Sequence, residues 1–463
     1  MNPLQKPSLP PGFILRMQTQ FQTETPQLLY ALDSQPCTSL RLNPFFKPEG
    51  HSCEAVEWSQ EGYYVENTCV FGTDPAFQAG GYYVQEAASM SVGWLLKKLS
   101  NPLNKPGVRV LDACAAPGGK STHLLTLLHS QGTLVANEVT ASRYPALVEN
   151  LSKWGYANQV ITRSPIEAFS NLEAFFDLIL IDAPCSGEGM FRKTPEARTE
   201  WKEESERSCA IRQTDILLKL LPSLKPGGIL LYSTCTFAPM ENEGQMEVCM
   251  QAGLSCITPD ETPGQGWRKI ISPSGANGWQ AIPGAVKGEG FFISAFQKQG
   301  QPTEDFSFGM PTIPKAKVKF PFEMPKPFVF LEGKENSLFL TTDSTLSTYT
   351  LLQKAGIKAR AGLKAGEWKG DKFIPDAELA FWKHMPEDTF PILSVDRQDA
   401  IRFLRKENII NMQDGLKGIH KITYRGLGLG WVNCIPGRQN NLYPLAWRLR
   451  DTSNPALDPF PEQ

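Results

Sequence analysis

Two tetrapeptides and one glycine turn carry the residues with the most chemistry to offer. Asp182-Ala-Pro-Cys185 and Ser233-Thr-Cys235-Thr236 each put a cysteine just beyond a short apolar run, and Asp112-Ala-Cys-Ala-Ala-Pro-Gly-Gly-Lys-Ser121 follows a third such run. A thiolate adding to C6 of a pyrimidine breaks its aromaticity and makes C5 able to attack an electrophilic carbon, which divides one hard substitution into easier steps. A carboxyl beside the base edge lowers that barrier by protonating or hydrogen-bonding N3 as the adduct forms. Cysteine, aspartate and a nucleoside-type cofactor pocket are the parts such a reaction requires.

The glycine turn fits some ligands and not others. A phosphate-cradling loop of the form G-x-x-x-x-G-K-[ST] matches Gly119-Lys120-Ser121, but its opening glycine falls on Cys114. A nicotinamide fingerprint G-x-G-x-x-G is absent. The spacing is compatible with a nucleoside ligand lacking a pyrophosphate, held near a helix N-terminus. Glu138 closes the next apolar run, where an acidic residue is placed to accept hydrogen bonds from ribose hydroxyls.

The elements needed to hold these groups are legible between Val108 and Phe296. Runs at Val108–Asp112, Thr133–Glu138, Asp177–Asp182 and Gly228–Ser233 alternate with helical periods such as Ala141–Trp154 and Cys209–Leu224. Near-continuous apolar runs are strands covered on both faces, so an α/β, Rossmann-like, doubly wound and mostly parallel sheet is expected. Ligand chemistry in such a sheet sits at the strands' carboxyl ends. Lys225-Pro-Gly-Gly228 reads as a turn into the last of these strands. Residues 1–80 read as a small α+β extension, with a helix over Met17–Leu32 and a strand-like Ser39–Asn43. Residues 81–298 form the core, 299–326 a proline-rich linker with Lys315, Lys317 and Lys319 on alternate positions, 327–395 an intermediate α+β module, and 396–463 a basic terminal region with a helix at Arg397–Glu407.

The three motifs resemble those of the RNA cytosine-C5 methyltransferases of the bacterial RsmB/RsmF and eukaryotic Nop/Sun type, most closely the RsmF group. The resemblance extends over Asp182–Lys193, Tyr232–Glu243, Tyr83–Ser89 and Gly288–Phe292. It implies a class I methyltransferase core with a C-terminal PUA-like module. It further implies S-adenosylmethionine held by Cys114, Ala115, Ala116, Pro117, Gly118, Gly119 and Lys120, with Glu138 on its ribose and Asp182 where cofactor and base meet. Cys235 is then the nucleophile and Cys185 assists product release. Arg143 is a further candidate at the ribose and Ser164 at the adenine, where many relatives carry Asp. Arg192 and Lys193 are candidates for RNA phosphate, Thr38–Asn43 for an RNA-binding extension, and Tyr424, Trp431 and Tyr443 for core packing ahead of base stacking. DNA cytosine enzymes differ in using Pro-Cys-Gln, and amino-group methyltransferases in using Asp/Asn-Pro-Pro-aromatic.

Bulk properties set the frame. A chain of 463 residues with 41% hydrophobic and 20% charged residues is a globular protein of several domains. Its net charge of −2 offers no general attraction to a polyanion, yet residues 401–450 hold nine Lys and Arg against Glu407 and Asp414, a local balance of +7. The ten cysteines include no CxxC pair and complete no zinc spacing with the five histidines, so no metal is expected. The proline-containing start and the lack of a long apolar run suggest a cytoplasmic monomer with no membrane partner. The substrate expected is ribosomal RNA, 16S or the small subunit. The same chemistry on tRNA, a catalytically silent RNA-binding assembly factor, and a P-loop-like NTPase are the alternatives.

Overall fold

The computed structural model describes residues 6–48, 50, 52–300, 324–410, 415–450 and 459–460. The expected linker, with Lys315, Lys317 and Lys319, lies largely outside them. Five parallel strands form the core in the spatial order Gln159–Thr162, Thr133–Asn137, Arg109–Asp112, Phe176–Asp182, Leu224–Thr234. Phe291–Lys298 runs antiparallel beside the last of these, followed by Asn277–Ala281 and Trp267–Ile271. Chain order reverses at Arg109–Asp112, so the crevice opens where the glycine turn leaves that strand and the carboxyl end of Phe176–Asp182 lies alongside. Leu111, Val135, Ile179 and Leu230 are fully buried on one face, and Val110, Leu134, Leu180 and Leu231 on the other. This two-sided cover is why the strands read as unbroken apolar runs.

The intermediate stretch builds an antiparallel sheet (Phe328–Glu332, Ser337–Thr342, Leu363–Lys369, Lys372–Pro375) and adds the strand Ala359–Ala361 to the free edge of Gln159–Thr162. The C-terminal region is a second four-stranded sheet, with Ile392–Ser394 parallel to Gly418–Tyr424. Tyr424, Trp431 and Tyr443 are buried in it, so their role is packing. No described helix is long and apolar enough to cross a membrane.

Several boundaries differ from those expected. The first helix starts at Pro11, whose missing N–H costs nothing in a first turn, and breaks at Gln22, where φ is +44°; a second helix runs Thr25–Asp33. The helix expected from Cys209 begins at Glu203, with three glutamates against its dipole, and ends at Leu220. Lys225-Pro-Gly-Gly228 lies within the strand Leu224–Thr234, as an irregularity against Phe176–Leu178. The helix expected over Arg397–Glu407 stops at Leu404, before Lys406 at φ +61°.

Candidate active site

Phe176–Asp182 and Leu224–Thr234 run parallel with Asp182 opposite Ser233, so the loops leaving them emerge side by side. That register brings the two thiols together: Cys185 Sγ and Cys235 Sγ are 3.2 Å apart, and the Cys235 backbone N–H points at Cys185 Sγ at 3.3 Å. The hydrogen bond to Cys235, together with burial, pushes the Cys185 thiol far above its ordinary pKa. Cys185 therefore keeps its proton and can donate it toward Cys235 Sγ.

Asp182 accepts the Ser233 hydroxyl at 2.9 Å and pairs with Lys120 Nζ at 2.8 Å. Burial works against the Lys120 charge, but Asp182, with Cys235 and Asp112 adding, holds its pKa above the usual lysine value. The helix Gly119–Leu128 thus aims its second residue at the reaction centre, with the ammonium 4.9 Å above the Phe291 ring. Arg192 corrects an expectation. It is buried and grips both carboxylate oxygens of Glu289 at 3.0 and 3.1 Å, so it braces the Gly288-Glu-Gly290 segment and does not face RNA. Gly189 and Gly290 sit backbone to backbone there; a Cβ on either would run into the other. Lys193 is exposed.

The loop 185–190 is held by a residue the sequence reading passed over. Glu188, with no solvent exposure, accepts the Thr236 hydroxyl at 2.9 Å, the Phe237 N–H at 3.2 Å and the Trp201 indole N–H at 2.8 Å, and pairs with Arg16. Arg16 also pairs with Glu206, whose carboxyl is raised to about 7, chiefly by burial. Glu241 completes the brace by accepting the Ser186 N–H and the Gln213 amide. Ser-Gly-Glu in the motif hinted at Glu188, but nothing local announced a partner 172 residues away. Arg198, within the mixed charge run 196–207, is buried and tied to Asp33 and to the Leu32 and Pro7 carbonyls. Breaking such a pair strands a buried charge, which costs roughly 3 kcal/mol. Arg16→Ala is therefore expected to lower the thermal midpoint and methyl transfer together, with Arg16→Lys losing less; an unchanged midpoint would contradict the brace.

At the glycine turn, Ala115 N–H donates to Asn137 O, which draws the turn against the next strand. Gly118 holds φ +114°, a left-handed conformation in which a side chain is strained. The Cys114 thiol is pushed far up by burial, so it offers backbone and shape, not a thiolate. Glu138 is buried, accepts the Thr140 N–H at 2.7 Å and lies 3.6 Å from Arg143, whose guanidinium also donates to Ala116 O. Arg143 thus joins the acidic residue to the turn. Ser164 is buried at the end of the third strand, its N–H bonded to Asn137 Oδ1. The structure brings these residues, singled out in the sequence, around one turn, and adds Asp112, which the sequence reading did not single out. One Asp112 oxygen accepts Ser121 Oγ at 2.6 Å; the other is buried without a partner, and burial raises the carboxyl to about 7. An orphaned acceptor at the head of such a turn suits a ligand ammonium, and S-adenosylmethionine carries one on its amino-acid end. The residues present therefore fit that cofactor.

Asp112 also gives a stability signature. With its folded pKa above the unfolded value of 3.8, native protein keeps a proton that the unfolded chain sheds, so stability falls as pH rises from about 4 to 7. Asp112→Asn is expected to remove that fall, leaving ligand-free protein at pH 8 no less stable than the wild type, while shrinking the stabilisation added by S-adenosylmethionine. Melting curves at pH 5 and 8, with and without cofactor, check this; equal losses at both pH values would contradict it.

The sheet order and the turn are those of the Rossmann-like methyltransferase fold. The model of "16S rRNA methyltransferase RsmB/F" matches residues 101–297, that of the RsmF N-terminal domain residues 9–87, and that of the RsmF PUA domain residues 390–449. The chain is 30% identical over 438 residues to ribosomal RNA small subunit methyltransferase F of Salmonella heidelberg, covering 86% of this chain and 85% of that one. It is 36% identical over 288 residues to the protein of the same name from Pectobacterium atrosepticum, covering 60% of this chain but only 56% of the relative. A methyltransferase homologue from Pyrococcus horikoshii superposes with a TM-score of 0.51 at 26% identity, over 63% of this chain and all of that one. The chain belongs to the RsmB/F family of 16S rRNA methyltransferases.

Proposed function

We propose that this protein methylates C5 of a cytosine in small-subunit ribosomal RNA through a covalent adduct between Cys235 and C6. The observation that carries the reading is the pair of thiols 3.2 Å apart beside an Asp182–Lys120 ion pair, on the strand ends that flank the glycine turn. S-adenosylmethionine, when bound, supplies an electrophilic methyl group on a sulfonium. Asp112, Glu138 and the turn 114–120 would hold it, with Arg143 tying Glu138 to the turn and Ser164 a candidate to contact its adenine.

The target base leaves its stack to reach the thiols. Cys235 Sγ bonds to C6 while the Lys120 ammonium, through the Asp182 carboxylate it pairs with, supplies the proton that N3 takes as the ring loses aromaticity. C5 would take the methyl carbon as the sulfonium–carbon bond breaks; its own proton would pass to water, the C5–H electron pair expelling Cys235 Sγ from C6, and N3 would return its proton to the Asp182–Lys120 pair as the ring is restored. Cys185, holding its proton against Cys235 Sγ, is placed to protonate the departing thiolate.

The same reading takes the protein as a cytoplasmic monomer acting on small-subunit ribosomal RNA. Incubation with small-subunit RNA and methyl-labelled cofactor, followed by nucleoside mass spectrometry, is expected to give labelled 5-methylcytidine. Label in another nucleoside, or none, would overturn the proposal.

A further inference from the structure

A second cavity, of about 340 Å³, lies where the N-terminal extension, the helix Ala377–Phe381 and the C-terminal sheet meet. None of the catalytic loops lines it. Lys383 and Lys421 both do, beside Phe45, Phe390 and Ile392. Lys383 Nζ donates to the Ala79 carbonyl at 3.0 Å and Lys421 Nζ lies 3.7 Å from Met385 Sδ; among the described residues neither forms an ion pair.

Several of the protein's other enclosed cations differ: Arg16, Lys120, Lys153, Arg192 and Arg360 each face a carboxylate, and Arg41, which does not, has its guanidinium bonded to Gln85, Thr122 and Gly119. Two ammonium groups withdrawn from water without a counter-charge are costly, and a ligand anion is what offsets the cost. Burial, with the neighbouring Lys421 charge, pulls Lys383 down to about 7, and burial pulls Lys421 down to about 8. His384, packed against Phe45, is also lowered by burial, and the acidic residue on the lining, Glu387, is exposed. The apolar side of the mouth is open: Phe45 is 45% and Ile392 50% exposed. Cations beside an accessible aromatic ring form the combination that takes an unstacked nucleotide, with phosphate on the cations and base on the ring.

We infer that this cavity receives a nucleotide of the substrate RNA remote from the target cytosine, its phosphate shared by Lys383 and Lys421 and its base against Phe45 and Phe390. The inference rests on the proposed RNA substrate and adds a grip away from the thiols. The cavity adjoins the residues that precede the third core strand, since Phe45 packs on Tyr156 and Lys383 N–H bonds Gly155 O, whereas the thiols stand beyond the opposite ends of the strands.

The test is binding of an in-vitro transcript of small-subunit rRNA, titrated over a range of salt. Lys421→Met keeps the aliphatic stem and is expected to weaken binding about tenfold and to lower the slope of log affinity against log salt by about 0.7, one single-strand phosphate contact. KM for RNA is expected to rise, with kcat at saturating RNA and cofactor affinity unchanged, while Lys421→Arg retains wild-type binding. Unchanged affinity and salt slope in Lys421→Met would overturn the inference. So would equal losses in both variants with a lowered melting temperature, which mark a structural role. Wild-type protein that binds the transcript but transfers no methyl group overturns the enzymatic reading instead, and the binding comparison still decides this one.

Discussion

Cys235→Ala is expected to reduce methyl transfer by a factor on the order of 10⁴ or more while leaving S-adenosylmethionine binding intact. The size follows from the role: without a nucleophile C5 of cytosine remains aromatic, and the other groups act on a reaction that no longer starts. The direction distinguishes the two thiols. Cys185 is held protonated by burial and by Cys235 itself, so the thiol of the pair free to attack is Cys235. Cofactor binding is spared because the turn 114–120, Asp112 and Glu138 belong to neighbouring strands and make no bond to Cys235 among those described. Single-turnover transfer assays, paired with cofactor titration, measure both halves. Loss of cofactor binding in the same variant would point to a collapsed site, and retained transfer would remove Cys235 from the chemistry.

The second large effect is opposite in kind. Cys185→Ala is expected to leave adduct formation intact and to slow release by about 10² to 10⁴-fold, the usual range for losing a positioned proton donor. Protein should then accumulate on RNA as a species that survives denaturing electrophoresis and disappears on nuclease treatment. The double variant lacking both thiols should form none. Both predictions come from one contact, since the Sγ atoms are 3.2 Å apart and the proposed acid of the release step lies against the proposed nucleophile. A Cys185→Ala enzyme that turns over at the wild-type rate would place the release step elsewhere.

Much of this site was legible in the sequence because its parts are local. Asp182, Cys185 and Cys235 lie within a few residues of strand ends, and strands covered on both faces announce themselves as apolar runs. The glycine turn excluded a phosphate loop by a single residue, Cys114. What holds the site was not legible, because it is long-range. Arg16 reaches Glu188 from a helix at the other end of the chain, and Arg192 looks like a phosphate contact until Glu289 is found closing on it. Thr38–Asn43 shows the same limit. Arg41 reads as a basic residue on an RNA-facing strand, but it is buried, bonded to Gln85 and Thr122 and set 4.6 Å from the Trp154 ring. The N-terminal extension thus spends its arginines on supporting the catalytic loops and the start of the cofactor helix. Charge told where cations are, not what they face.

The neutral total charge also needed the fold to be understood. Of the nine cations behind the +7 balance over 401–450, Arg405, Lys417, Arg438, Arg448 and Arg450 face solvent, while Arg402, Lys406, Arg425 and Lys421 are partly covered. A composition sum cannot separate a solvated surface from a pocket that lacks a counter-ion.

The most direct measurement is bisulfite sequencing of small-subunit ribosomal RNA from cells lacking this protein, complemented either with the wild type or with Cys235→Ala. The expected result is one cytosine that resists conversion in wild-type cells, converts fully in the deletion strain, and regains protection only with the wild-type copy. Protection that persists without the protein, or that returns with Cys235→Ala, would contradict the assignment of Cys235 as the nucleophile of an RNA cytosine-C5 methyltransferase.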